Sequence, residues 1–455
     1  MDNCANSLDP HSKRGNRPGM TKPLTYGLRA LPALAILCSA NPAFAGAFLI
    51  QEQSAKETGR ALSGAAVAAD GPASIYFNPA SMTKLDGVQV EAASQFLFLT
   101  ASQEDQGSTR GVPGLPVSVP TGGSNGGNPF PQPLLVPSGA ISAQLSDNVW
   151  AGLAVNAPFG LIAEYDDDFF GRYDTLRADV FTLNVQPSLA VKIGENVSIG
   201  AGVDVQYINV ELTNAVPNLS PTAPDGFARV KGDDISIGWN AGIMVDFAPV
   251  RIGAHYRSQV KQNLEGTFEL SGLLGPLAGN NATVDATAPL TLPDIATLSI
   301  QLGTDTPWRV FGTWRYYDWS DFKEIAIYPE GGVPPQISEQ NYKDSWSMSL
   351  GGEYDVSDKL TLRAGTAFDE SPITDAYRSA RVPDADRVWA SVGLTYDMSD
   401  RFSANLGYSH VFVNDAPLDR TDAFFEGTPA EIATTIRSDS SGNADILAVS
   451  LGARF

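Results

Sequence analysis

From Val88 to Phe455 the chain passes through stretch after stretch in which apolar and polar residues alternate, the period of a strand with one face in an apolar medium. The turns between these stretches alternate between short and long. The short ones are Ser146-Asp147-Asn148, Gly194-Glu195-Asn196, Ala248-Pro249, Thr304–Pro307, Val356–Asp358 and Ser399-Asp400. Working outward from them predicts fourteen strands, near 88–102, 135–145, 149–159, 175–193, 197–212, 232–247, 250–269, 293–303, 308–327, 344–355, 359–371, 387–398, 401–414 and 443–455. An even strand count, with short turns at one end and long loops at the other, is the pattern of an outer-membrane barrel. The predicted fold class is therefore all-β: a 14-stranded antiparallel transmembrane β-barrel over residues 88–455.

The last stretch, ADILAVSLGARF, puts Leu447, Val449, Leu451, Ala453 and Phe455 on one face. A terminal aromatic in phase with the apolar face has the form of a barrel-assembly signal, which makes the assembly machinery an expected partner. Trp150, Phe247, Trp308, Tyr354, Tyr396, Phe402 and Phe455 lie beside the short turns, where amphipathic rings favour a membrane boundary. Trp314, Tyr316, Tyr317 and Trp319 are expected to form the outer girdle. The third strand breaks its alternation at Asn156-Ala157-Pro158-Phe159-Gly160. Proline cannot donate to a ladder and glycine weakens a strand interior, so either the wall is interrupted there or the strand ends early.

Residues 46–87 differ in kind. Small residues dominate, and the pattern predicts two short helical pieces: Ser54-x-x-Glu57 has the form of a capping box, and Asn78-Pro79 places a cap before an N1 proline. A Gly/Ala-rich segment ahead of a barrel is most simply a hatch inside its lumen, with Tyr76 and Phe77 filling residual space.

The run SAKETGRALSGAAVAADGPASIYFNPASMTKL, with Asn78-Pro79-Ala80, resembles the hatch of the bacterial outer-membrane long-chain fatty acid transporter family. GWNAGI (238–243), HYRSQVKQNLEG (255–266), DWSDF (318–322), RAGTAFDESPITD (363–375) and VPDADRVWASVGLTY (382–396) resemble the same family. The resemblance implies uptake of long-chain fatty acids or other hydrophobic compounds in three steps: capture by outer loops, transfer to an internal apolar site, and hatch movement with lateral exit through the wall. It assigns gating to Tyr76, Phe77, Asn78, Pro79 and Ala80, and the lateral opening to Asn156–Gly160. Capture is expected at loops 213–231 and 271–292, the latter carrying Leu273, Leu274, Leu277 and Leu290. Fatty-acid-binding relatives hold cations near the top of the fifth strand and in the fifth outer loop. Here Tyr207–Asn214 and Ile337–Tyr342 carry none, which favours neutral aromatic or aliphatic hydrocarbons and leaves Arg229, Lys231 or Lys343 as carboxylate partners. The rival readings are a general porin, which predicts an open aqueous lumen, and a structural or adhesion barrel.

Composition narrows the picture further. Residues 1–45 read as a signal peptide, with Lys22 and Arg29, the apolar Ala30–Leu37 and Ala43-Phe44-Ala45; Met20 is a possible true start. Cys4 and Cys38 both lie upstream of the expected cleavage, so the mature chain has no thiol. Cleavage removes five basic and two acidic residues and takes the formal charge from −21 to −24, which excludes nucleic acid as a partner. No later apolar run approaches the roughly 18 residues of a spanning helix. No Ser–His–carboxylate set or ATPase motif assembles; an outer-membrane lipase is the one enzyme class to weigh, and neither a cofactor nor a metal site is expected. Glu164 and Asp166–Asp168 read as a solvated loop tip beside lipopolysaccharide rather than a calcium loop. The expected oligomeric state is a monomer in outer-membrane lipid.

Overall fold

The computed structural model describes residues 46–455; the expected signal segment, with both cysteines and Met20, lies outside the described residues. Fourteen strands form the wall. They are β1 (Val88–Asp105), β2 (Leu134–Ser146), β3 (Val149–Asn156, resuming as Gly160–Glu164), β4 (Arg177–Ile193), β5 (Val197–Val216), β6 (Gly226–Phe247) and β7 (Val250–Arg257, resuming as Val260–Ser271). The circuit continues with β8 (Ala282–Leu292 and Ile295–Leu302), β9 (Trp308–Tyr317), β10 (Ser345–Ser357), β11 (Leu360–Asp369), β12 (Arg387–Asp397), β13 (Phe402–Val413) and β14 (Ile432–Arg454). Each pairs antiparallel with its sequence neighbour, and β1 closes the ring on β14 from Gln89↔Arg454 to Asp105↔Ser438. The main chain of Phe455 completes the seam with two bonds to Val88 (2.8 and 3.1 Å).

Alternation sorts the two faces. Ile235, Ile237, Leu350 and Leu451 project outward and exposed, while Asn184, Gln186, Asp204 and Asn240 point into the lumen and are buried there. An apolar exterior with a polar, satisfied interior is the arrangement a bilayer imposes on a barrel.

Several strands depart from the predicted limits. The outer ends of β1, β5 and β6 run past them, and β14 begins at Ile432 rather than near 443. Capture loop 213–231 is thereby about half strand, and 271–292 ends in the upper half of β8. β7 and β8 are each interrupted, at Ser258-Gln259 and Pro293-Asp294, and the break is stitched by the Gln259 N–H donating to the Asp294 carboxylate (2.8 Å). β9 stops at Tyr317 and gives way to a 3-10 turn, Trp319–Asp321. Trp150, Tyr317 and Trp319 are not girdle residues: each is buried toward the lumen, and the Trp150 indole N–H donates to the Leu85 carbonyl (2.8 Å). Phe247, Trp308, Tyr354, Tyr396, Phe402 and Phe455 are exposed on the outer face, as is Trp314.

Candidate functional site: a filled lumen and a gap in its wall

Residues 46–85 fill the lumen and are buried almost throughout. Ser54 caps α1 (Ala55–Thr58) through the Glu57 N–H, and α2 (Ser74–Phe77) leads into a 3-10 turn, Pro79–Lys84. Asn78 works at three points. Its Oδ1 accepts from the Ala80 N–H (3.0 Å), while its Nδ2 donates to the carbonyls of Ala66 (2.7 Å) and of Ile243 in β6 (3.3 Å). One side chain thus caps the turn, closes the segment on itself and ties it to the wall. Tyr76 and Phe77 stack edge to face, with the Arg257 guanidinium of β7 4.3 Å from the Tyr76 ring.

The wall is shaped to receive this segment toward the short-turn end. A Cβ added at Gly242 would run into Asn78 Oδ1; at Gly253, Gly365 and Gly407 it would strike the carbonyls of Ala66, Arg60 and Ala55. Lumen-facing hydroxyls satisfy the segment's backbone: Thr313 accepts from Gly64 N–H (2.7 Å) and Ser299 from Ala66 N–H (3.1 Å). Arg60 is fully buried and paired with Glu57, Asp70 (2.7 Å) and Glu353 of β10; Glu353 also binds Arg309 (2.9 Å) and Arg363 (2.6 Å). Separating buried charges of this kind is costly, so the network opposes displacement of the segment.

The wall itself is incomplete higher up. β2 stays paired with β1 as far as Leu134↔Leu97, but its ladder with β3 stops at Gly139↔Val155. Above the kink, Gly160–Glu164 pairs only with β4. Asn156 faces Asn184 and Gly160 faces Phe181, so three residues of β3 oppose two of β4, a bulge centred on Pro158. The Thr182 hydroxyl holds it, accepting from Phe159 N–H (2.9 Å) and donating to Phe159 O (2.6 Å).

The start of the lumenal segment covers the gap from inside. Leu49 bridges Phe159, Ile50 N–H donates to Pro158 O (2.8 Å), and Gly160 N–H donates to Phe48 O (2.9 Å). Gln53 spans the two edges: its carbonyl accepts from Ser138 of β2 (3.1 Å), and its side chain bonds Asn156 (3.2 Å) and both main-chain groups of Ala157 (2.9 and 3.3 Å). Ala47 N–H donates to Asp384 (3.0 Å), whose carboxyl burial pushes up to about 7.

Two cavities meet at this point. One, of about 290 Å³, is lined by lumenal Arg387, Trp389 and Val411 and by Leu135 and Phe181, which are 58% and 48% exposed on the outer face. It therefore reaches through the wall. The other, about 90 Å³ and strongly apolar, lies between Val210, Leu264, Leu290, Ile325 and Tyr342. Phe48, Leu161, Val180 and Val382 line both, so Phe48 stands where the two would join.

The predicted capture leucines separate. Leu290 lines the apolar cavity, whereas Leu273 and Leu277 are buried against Val216 and neighbouring loop residues and present no landing surface; Leu274 alone is exposed, at 48%. Of the predicted carboxylate partners, Arg229 is paired with Glu211 (2.9 Å) and Lys343 with Glu370 (2.8 Å). Lys231 borders the apolar cavity, but alternation puts its side chain on the outward face of β6 with Arg229. Glu164 pairs with Arg177 (2.9 Å) and Asp168 accepts from Ser124 (2.7 Å).

Comparison with known proteins places this architecture. The family described as "Outer membrane protein transport protein (OMPP1/FadL/TodX)" matches residues 36–455. The long-chain fatty acid transport protein of Escherichia coli O6:H1 is 26% identical over 410 residues, covering 83% of this chain and 90% of that protein. The 47 kDa outer membrane protein of Pasteurella multocida is 29% identical over 405 residues, covering 84% and 91%. In fold, the chain resembles a FadL homologue from Pseudomonas aeruginosa (TM-score 0.80, 22% identity, 90% and 100% covered). It also resembles the toluene transporter TbuX of Ralstonia pickettii (TM-score 0.62, 17% identity, 88% and 98% covered).

Proposed function

Because this chain belongs to the FadL/TodX outer-membrane transport family, we propose that it carries hydrophobic molecules across the outer membrane of a Gram-negative bacterium and releases them sideways through its wall. Long-chain fatty acids and neutral hydrocarbons are the substrate classes, as in the names of its relatives. The observation that carries the reading is the cavity bounded at once by lumenal Trp389 and by outward Leu135 and Phe181. An apolar solute reaching it would meet bilayer rather than water on leaving, so its transfer is downhill throughout.

The path begins in the apolar cavity under the outer loops. It passes Phe48, enters the larger cavity, and leaves between β2 and β3 once residues 47–53 swing off the gap. The hatch comprises residues 46–87, and its gate is this leading segment rather than the Tyr76–Ala80 region, which stays locked to the wall. The buried Arg60 network and the glycine contacts support that division. They also weigh against a general porin, whose lumen must stand open.

The test is deletion of Pro158, which brings β3 into two-for-two register with β4. Uptake of labelled oleate and labelled toluene by cells lacking other such transporters, normalised to folded surface protein, should fall at least tenfold for both. Undiminished uptake through a closed strand would reject lateral exit. No uptake above background by the unaltered protein would reject the function itself.

A further inference from the structure

Two cations border the apolar cavity, Lys231 on the outward face of β6 and Arg381, whose guanidinium has a buried nitrogen without a partner. Arg381, in the loop between β11 and β12, forms part of its wall. Nearby arginines all have carboxylates: Arg378 binds Asp375 (2.6 Å), Arg387 binds Asp369 (2.6 Å) and Arg420 binds Asp422 (2.7 Å). Among the described residues Arg381 has no ion pair. Its Nη2 donates to the main-chain carbonyl of Asp174 (2.7 Å), and its Nε is wholly buried without a hydrogen-bond partner. The Asp174 carboxylate is taken up elsewhere, by Ser379 Oγ (2.8 and 2.9 Å) and Ala380 N–H (2.7 Å).

Burial holds this guanidinium below its ordinary range, only partly offset by Asp174, and Arg420 adds repulsion. A guanidinium in apolar surroundings is costly unless an anion meets it, and its planar fork suits a carboxylate. The cavity beside it has the complementary character for an alkyl chain, with Val180, Leu264, Leu290 and Ile325 on its walls.

We propose that Arg381 is the carboxylate-binding residue of this transporter, holding the head of a fatty acid whose chain lies in the apolar cavity. This rests on the transport function above and decides its substrate preference: a long-chain carboxylic acid over a neutral hydrocarbon. The absence of cations from Tyr207–Asn214 and Ile337–Tyr342 is thereby made good from another loop. Arg381 also sits next to Val382, which lines both cavities, so head-group capture is placed one residue from the passage between them.

The experiment is equilibrium binding of oleate and of oleyl alcohol, its neutral counterpart, to the purified full-length barrel in non-ionic detergent. The unaltered protein should bind oleate at least tenfold more tightly than the alcohol. Arg381→Gln should weaken oleate at least tenfold and leave the alcohol within twofold, with Arg381→Lys in between; Lys231→Gln should change neither more than twofold. Heat-modifiable gel mobility confirms that each variant is folded. Equal affinities for acid and alcohol in the unaltered protein, equal losses of both in Arg381→Gln, or a larger loss in Lys231→Gln would each overturn the assignment. Failure of the unaltered protein to bind either compound would overturn the transport function and the assignment with it.

Discussion

The two ends of the lumen are built on opposite principles. Toward the short turns, the lumenal segment meets the wall backbone to backbone, through glycines that leave no room for a Cβ and through buried ion pairs around Arg60. Toward the outer loops, the same segment meets the wall through two main-chain hydrogen bonds at Pro158 and Gly160 and through the side chains of Phe48 and Gln53, beside two cavities and an unpaired stretch of β2. Close-packed contacts have one solution, whereas side chains bordering empty space have several. One end is built to hold still, and in the proposed function it is the anchor and the other end the gate.

The largest effect should come from the anchor. Arg60→Ala leaves Glu353 and Glu57 buried with fewer partners, at a cost of about 3–5 kcal/mol. The barrel should melt at much lower temperature in a heat-modifiability gel, and residues 46–87 should become open to protease. Next, Gly242→Ala drives a methyl into Asn78 and should cost about 1–3 kcal/mol by the same assay. Gly279→Ala, in an outer turn with open space around it, should be neutral within about 0.5 kcal/mol. Equal shifts for the two glycines would erase the distinction between the ends. Asn78→Ala removes the cap and both tethers, and should cost about 1 kcal/mol or somewhat more.

A pH slope involves both ends. Burial pushes Glu57, in the anchor, and Asp384, beside the gate, up to about 7. Each binds a proton more readily folded than unfolded, so stability is greatest below the ordinary carboxylate range and falls as pH rises from there toward 7. The slope should be on the order of 1 kcal/mol per pH unit for each group, flattening above pH 7. Glu57→Gln and Asp384→Asn should each remove one share of it in thermal melts between pH 4.5 and 8; a slope unchanged in both would contradict these assignments.

How far the sequence revealed this depends on which medium imposes the pattern. All fourteen strands and six short turns were legible because the bilayer demands strict alternation over its own thickness. Above it that demand lapses: Arg437–Asn443 of β14 is polar on both faces and gives no sign of being strand. The Asn78 cap and the Pro158 kink were legible because proline and a capping side chain act locally. Facing was less secure, since a single residue of parity turns Trp150 and Tyr317 inward and the early end of β9 puts Trp319 in a turn. Leu273 and Leu277 look like landing residues in sequence, yet they cover one another's neighbours in space. Arg381 carried no signal at all. Arg378 and Asp384 lie on either side of it, and only the folded loop shows that, unlike its neighbours Arg378, Arg387 and Arg420, it has no ion pair.

The division into anchor and gate is tested most directly by two reversible cross-links in a mature chain that is expected to have no cysteine of its own. Leu49→Cys with Phe159→Cys joins directly bridged residues at the gap, and Thr83→Cys with Ser198→Cys joins side chains whose hydroxyls are 2.6 Å apart at the anchor. Uptake of labelled oleate is measured for each pair, oxidised and then reduced. That division requires the oxidised gate pair to lose uptake at least tenfold and regain it on reduction, while the oxidised anchor pair takes up oleate as the unaltered protein does. Uptake that survives the gate cross-link, or is abolished by the anchor cross-link, would contradict it.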